Sequence, residues 1–245
     1  MFSPAGMLSF ASFARLPEAR GMRMKILGLC GSPRKDNSRT AWLVQRTLAA
    51  AEERGAETEF IDVARLKLGP CMACDRCHHL GECVQKDEFN TIFRSMLFAD
   101  GIVLGSPVYI YHVTAQLKLF IDRLANAIHC LRLEGKYGAV IATAGGSGHE
   151  ETSSYLEQLI SRLGAQCVGK VGCTLEDGPV KPGSAPGVGA WELGLRLVEA
   201  IAAKKEFPEQ RREIEARRSY FRQLMVKRQD QWPWEYRYWL EKGWL

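Results

Sequence analysis

Leu29-Cys30-Gly31-Ser32-Pro33-Arg34-Lys35-Asp36-Asn37-Ser38-Arg39-Thr40 joins a strand-like run to a helix-like one, and the fold follows from that junction. Upstream, Met24-Lys25-Ile26-Leu27-Gly28-Leu29 is short and apolar. Downstream, Ala41, Val44, Leu48 and Ala51 recur at helical spacing until Gly55. A helix start offers free N–H groups and partial positive charge, which suit a phosphate. Ser32, Asn37, Ser38 and Thr40 add hydroxyl and amide donors, and Arg34 and Arg39 add charge. The loop has neither G-x-G-x-x-G nor a G-K-[ST] ending, so neither a dinucleotide nor a nucleoside triphosphate fingerprint is present. A hydroxyl-rich phosphate loop of this kind fits a mononucleotide such as FMN. An ordinary strand–helix turn with a serine cap has the same local composition and stands as the alternative.

Working outward, Thr58–Val63 reads as a second strand, and residues 64–86 as a long loop carrying cysteines. Asp87 caps a helix with a Phe89, Ile92, Phe93, Met96, Leu97 stripe. Residues 101–105 form a buried strand ended by Ser106-Pro107. Val113, Leu117, Phe120, Ile121 and Leu124 mark one further helix. Residues 139–143 form a fourth strand, closed by Ala144-Gly145-Gly146-Ser147-Gly148. Tyr155, Leu156, Leu159, Ile160 and Leu163 mark the next helix, residues 166–172 a fifth strand, and residues 177–189 a Gly/Pro-rich loop. A helix over about 191–203 completes the series. This alternation predicts an α/β fold: a five-stranded parallel sheet of order 2-1-3-4-5 with helices on both faces. Ligands bind such sheets at the carboxyl ends of the strands, at the switch point between strands one and three. The loops 31–40, 106–111 and 144–148 all fall at those ends, which strengthens the phosphate reading.

The chain has 245 residues, 46% hydrophobic and 25% charged, ordinary for a globular protein. No apolar run is long enough to span a membrane. Residues 1–23 lack periodicity and a secretory pattern and read as a disordered leader; residues 24–203 read as the ligand-binding domain, and 204–245 as a helical, aromatic extension. The net charge of +5 is concentrated in that extension. Its interspersed acids favour a solvated helix face over contact with nucleic acid or membrane. Four of the six tryptophans lie there, and aromatics so dense rarely stay in water. They either fold against their own domain or form an arm docking on a partner subunit.

Eight cysteines, four of them within 71–83, do not make a disulfide framework. They indicate a reducing compartment, the cytoplasm, and metal or redox work. The run is Cys71-x2-Cys74-x2-Cys77-x5-Cys83. Such close spacing lets one loop wrap the corners of a [4Fe–4S] cluster. Four thiolates also suit zinc, which usually takes two separated pairs, and bare redox-active or structural thiols remain a third reading. His78 and His79 read as exposed loop residues rather than ligands. Pro107-Val108-Tyr109-Ile110-Tyr111 is flat and aromatic enough to lie along an isoalloxazine ring, and the Gly145-Gly146 turn offers N–H groups to such a ring.

Taken in order, four motifs resemble the NADPH-dependent FMN reductase group, most closely its iron–sulfur flavoprotein branch. They are Gly31-Ser32-Pro33-Arg34, the cysteine run, Asp100-Gly101 leading to Ser106-Pro107-Val108-Tyr109, and Ala115-Gln116-Leu117-Lys118 through Asp122-Arg123. The resemblance covers about residues 24–200. It implies a flavodoxin-like fold, bound FMN, and homodimers or homotetramers with flavin near a subunit interface. It implies that Ser32, Arg34, Asn37, Ser38 and Thr40, in the loop with Pro33 and Arg39, hold the phosphate. Pro107, Val108, Tyr109, Ile110, Gly145 and Gly146 would hold the ring. Cys71, Cys74, Cys77 and Cys83 would hold a [4Fe–4S] cluster. The expected activity is FMN-dependent electron transfer between NAD(P)H, or a reduced carrier, and a small-molecule or protein acceptor. No protein acid or base is evident. A non-catalytic carrier docking ferredoxin-like partners is the alternative; a metal-stabilised module whose basic tail binds nucleic acid is a weaker third.

Overall fold

Ile26, Leu27, Leu29 and Cys30 are all buried, as a central parallel strand covered on both faces requires. A computed structural model describes residues 23–245; the leader reading of residues 1–23 falls, but for Arg23, outside the described residues. The elements in order are β1 (Lys25–Cys30), α1 (Arg39–Glu53), β2 (Glu57–Asp62), α2 (Arg76–Leu80), α3 (Phe89–Phe98), β3 (Gly101–Pro107), α4 (Ala115–Ile121) and α5 (Ala125–His129). Then come β4 (Tyr137–Thr143), α6 (His149–Arg162), β5 (Gln166–Cys173), α7 (Ala185–Ala203), α8 (Pro208–Lys227) and α9 (Pro233–Glu241). The sheet runs β2-β1-β3-β4-β5, every pair parallel, with Ile26 opposite Gly101 and Gly101 opposite Tyr137. This is a flavodoxin-like doubly wound sheet, in the order the sequence predicts.

The period-2 alternation of strand side chains sorts the core into two layers. Leu27, Leu29, Ile102, Leu104 and Val140 face the helices α3, α4 and α6, where Phe93, Leu117 and Leu156 meet them. Ile26, Val103, Ala139 and Ile141 face α1 and α7, against Leu43, Val44 and Leu197. At Gly105, a Cβ would stand 2.5 Å from Val44 Cγ2, so only glycine lets α1 lie this close to the sheet.

Three local differences have physical causes. The stripe from Val113 to Leu124 is not one helix: Thr114 caps α4, the chain turns at Asp122-Arg123, and Leu124 caps α5. The break carries Arg123 to Asp87, described below. Helix α7 starts at Ala185 rather than near Trp191, because Ser184 Oγ accepts from Gly187 N–H at 3.3 Å and Pro186 occupies the first turn. At α3, Asp87 Oδ1 accepts from Phe89 N–H at 3.2 Å, but Glu88 holds the cap position.

The extension folds back on its own domain. Cys130, Phe221, Met225 and Trp239 form a third buried cluster, with Trp232, Trp234, Tyr238 and Trp244 packed around it. Trp239 is fully buried, and its indole N–H donates to His129 O at 3.2 Å. Of the two readings of the tryptophans, the described residues show the first.

Candidate functional site

At the carboxyl edge the loop after β1 is tied to its neighbours by the backbone. Gly31 N–H donates to Gly105 O at 2.9 Å, and Thr114 Oγ1–H donates to Gly31 O at 2.6 Å. Ser38 caps α1 by accepting from Ala41 N–H at 3.0 Å. One cavity of about 90 Å³ opens here, lined by Ser32, Arg34, Ser38, Arg39 and Thr40 from the first loop. Pro107, Val108 and Tyr109 line it from the second loop, and Ala144 and Gly145 from the third. The three loops thus meet around one space. Pro33, Asn37, Ile110 and Gly146 stand outside this lining; Asn37 and Gly146 are exposed on their turns. Thr143 and Leu175, which no sequence motif singled out, complete it. Thr40 Oγ1 and Thr143 Oγ1 share a buried hydrogen bond of 2.7 Å.

Arg39 supplies the electrostatic test of this cavity. Its Nη2 donates to Thr174 O and Gly178 O, both at 2.7 Å, which fixes the guanidinium between the first loop and the chain after β5. Its Nε and Nη1 are buried without a partner among the described residues. Buried guanidinium N–H groups left idle are costly, and they match an anionic oxygen acceptor. Gly145 and Gly146 have open space where a Cβ would stand, so the third loop leaves room for a planar group.

The second loop is a tight turn. Tyr109 N–H donates to His112 O at 2.9 Å and His112 N–H to Tyr109 O at 3.2 Å. Ile110 and Tyr111 at its tip have φ of +47° and +60°. Positive φ is a real strain for a β-branched residue, and Ile110 is 93% exposed at that point.

The cysteines form a second site. Cys71, Cys74, Cys77 and Cys83 line one cavity of about 220 Å³ with Arg123 at its wall. Ala73 and Asp75, on either side of Cys74, hold φ of +48° and +56°. Such left-handed residues build backbone nests of the kind found around phosphate and iron–sulfur groups. Arg123 is nearly fully buried, and its Nη2 donates to Cys83 Sγ at 3.2 Å. Its Nη1 and Nη2 clamp Asp87 at 2.6 and 2.9 Å. Burial pushes the Asp87 carboxyl up, but Arg123 and the N–H groups of Gly69 and Phe89 outweigh it and hold it below its usual range. Four thiols around one cavity, with a cation donating to one sulfur, fit a four-thiolate cluster. By contrast, burial pushes Cys30 and Cys167 up to about 12, which keeps them as inert thiols.

His78 corrects the expectation that it is an exposed loop residue: it is buried, whereas His79 is exposed. Its Nδ1–H donates to Glu235 Oε1 at 2.7 Å, and His129 Nδ1–H donates to Glu235 Oε2 at 3.0 Å. Asn126 Nδ2 also donates to Oε1 at 3.0 Å. Burial opposes a charged His78, but Cys77 and Glu235 outweigh it and push its pKa up to about 10. No local signal marks Glu235; it is reached only by the fold of the extension.

A doubly wound sheet with three loops meeting on one cavity at its switch point defines a flavodoxin-like α/β protein, here with a second cavity lined by four cysteines. Residues 24–178 match the model of the NADPH-dependent FMN reductase family. An iron–sulfur flavoprotein of Archaeoglobus fulgidus is 33% identical over 225 residues, 91% of this chain and 100% of that one. Another from Methanocaldococcus jannaschii is 37% identical over 194 residues, 75% of this chain and 100% of that one. Among solved structures, an NADH:FMN oxidoreductase in its apo form superposes with a TM-score of 0.56 at 22% identity, covering 77% of this chain and 94% of that one, which shows a shared fold. The chain belongs to the NADPH-dependent FMN reductase family of flavin-dependent oxidoreductases, in its iron–sulfur flavoprotein branch. No helix among the described residues is long and apolar enough to cross a membrane.

Proposed function

We propose that this chain is an FMN-dependent oxidoreductase passing electrons from NAD(P)H, or from a reduced carrier, to a small-molecule or protein acceptor, with a [4Fe–4S] cluster on Cys71, Cys74, Cys77 and Cys83. The observation that carries it is the meeting of the loops after β1, β3 and β4 on one cavity, beside a half-buried Arg39 whose Nε and Nη1 have no partner among the described residues. Ser32, Ser38, Arg39 and Thr40 bind the phosphate. Residues 107–109 and Gly145 orient the ring and keep water from one side of it. Arg123 holds Cys83 from behind. When bound, FMN supplies hydride and single-electron transfer, and the cluster single-electron transfer. No side chain at either cavity is assigned a proton, since the cofactor carries the chemistry. The exposed turn at residues 109–111 supports a homo-oligomer with this edge near the subunit interface.

Anaerobic purification tests the reading. The expected protein is yellow-brown, with one FMN, about four irons and four sulfides per chain, and it oxidises NADH or NADPH with turnover. Reduction by a carrier without pyridine-nucleotide turnover would assign it to electron carriage instead. Colourless protein that takes up no FMN at micromolar concentration would overturn the reading.

A further inference from the structure

Helix α2, which carries Cys77, has only five residues, far below the length at which a helix holds itself in water. Both of its ends are left-handed, at Asp75 and Gly81. What fixes it must come from outside the cysteine loop. Asn126 on α5 donates to Cys77 O at 3.3 Å, and Arg132 donates to Gly81 O at 3.3 Å. His78 is held by Glu235 on α9, and Trp234 of the same helix lies against Gly81. The His78 and His129 rings stack at 5.0 Å between centroids, and Trp232 covers both, at 4.7 and 4.8 Å.

Glu235 is the hub. Its carboxylate is fully buried, and each oxygen accepts a histidine N–H, with Asn126 adding a third bond. A buried carboxylate is tolerated only when so paired, and removing it strands two imidazoles and an amide. Asn126 links the hub to Cys77 O and, through its Oδ1, to Arg132 Nη1 at 2.8 Å. The cysteine cavity and the hub therefore share a wall: His78 lines the cavity and contacts the hub.

We propose that Glu235 is a positioning residue for the four-cysteine site: by anchoring His78, His129 and Asn126, the C-terminal extension holds the α2 turn in the shape that retains an iron–sulfur cluster. This rests on the cluster reading above. Groups that orient the ligands of a metal typically change its affinity by about 10–100-fold when removed, and the same order is expected here. The extension contacts His78, which lines the cysteine cavity, and Gly81 at the end of α2, and it lines no part of the flavin cavity, so its loss acts on iron and spares FMN.

The test compares anaerobically purified full-length wild type with Glu235→Gln, Glu235→Asp and His129→Gln. FMN content and melting temperature report the fold; iron and sulfide content, iron release to a chelator, and the EPR spectrum and midpoint potential of the reduced cluster report the site. Glu235→Gln is expected to keep its FMN, lose iron to the chelator about 10–100-fold faster, and alter the EPR line shape; Glu235→Asp restores part of the retention. Should Glu235→Gln yield no folded protein, His129→Gln, at the more accessible edge of the hub, carries the same comparison with a smaller effect. Iron release, EPR and potential unchanged in a folded Glu235→Gln protein would overturn the inference, as would equal loss of FMN and iron. Since the ligand atoms of His78, His129 and Glu235 lie within 4.8 Å of one another, zinc at one per chain that disappears in Glu235→Gln with iron unchanged would also overturn it. Wild type that takes up no iron overturns the cluster reading and this inference together; iron-loaded wild type with an indistinguishable variant overturns this inference alone.

Discussion

Replacing Gly81 by alanine tests the contact between the cysteine loop and the extension. Gly81 ends α2 at φ +78°, and a Cβ there would overlap the Trp234 indole, with Cδ2 2.7 Å away and two further ring atoms closer. The left-handed backbone costs alanine about 1–2 kcal/mol. Overpacking against a ring held by a 5.4 Å stack on Tyr238 and by the Arg132 guanidinium 4.9 Å from its centroid adds about 1–3 kcal/mol. The sum, about 2–5 kcal/mol, is a large share of the roughly 5–15 kcal/mol that holds a domain together. Trp234→Ala alone costs about 2 kcal/mol, half of the full-burial value, since the ring is half-buried. In the double variant the overlap is gone, so its loss falls short of the sum of the singles by about 1–3 kcal/mol. Urea unfolding followed by circular dichroism measures all four proteins. Additivity within about 0.5 kcal/mol would refute the contact, and with it the seating of α9 on the cysteine loop.

Arg123→Met leaves Asp87 with amide partners alone and should cost about 3 kcal/mol in urea unfolding; a loss under about 1 kcal/mol would show that the pair carries little of the fold. Because Asp87 is held below its ordinary value of 3.8, its stabilising contribution is fully present above that pH and disappears as pH falls through the depressed value. The stability gap between wild type and Asp87→Asn should therefore shrink in acid below pH 3.8, and a gap that widens there contradicts the pairing. Ile110→Gly removes a β-branched residue from φ +47° and should raise the unfolding free energy by about 1 kcal/mol; destabilisation would mean that the isoleucine makes contacts that compensate its strain. Thr40→Val strands the buried Thr143 hydroxyl and should cost about 1–3 kcal/mol, read as a lower melting temperature.

The sheet was legible because the central strands β1, β3 and β4 are short apolar runs and the helices after them have their own stripes, so local pattern and global order agree. The three loops at its edge were legible because strand ends and helix starts are local. The α4–α5 break was not: neither Asp122 nor Arg123 is a glycine or proline breaker, and the turn there forms because a buried guanidinium reaches Asp87 and Cys83. The start of α7 was hidden by Gly187 and Gly189, whose low helix propensity makes a capped helix look like a loop. His78 was misread because a histidine in a polar, cysteine-rich loop carries no sign of burial; the groups that cover it, His129, Trp232 and Glu235, all lie far along the chain. Arg39, read as a phosphate ligand, commits its Nη2 to the backbone carbonyls of Thr174 and Gly178 after β5, a contact that no local pattern announces.

His78 and Glu235 stand 157 positions apart along the chain. A growing polypeptide leaving the ribosome will have completed β1 through β5, and with them the cavity at the sheet edge, before it reaches Glu235, the carboxylate that fixes His78 beside the cysteine cavity. On the proposed function, cofactor acquisition would then have a built-in sequence: the mononucleotide would have a home first, and metal delivery would meet a fully braced receptacle only after α9 has emerged.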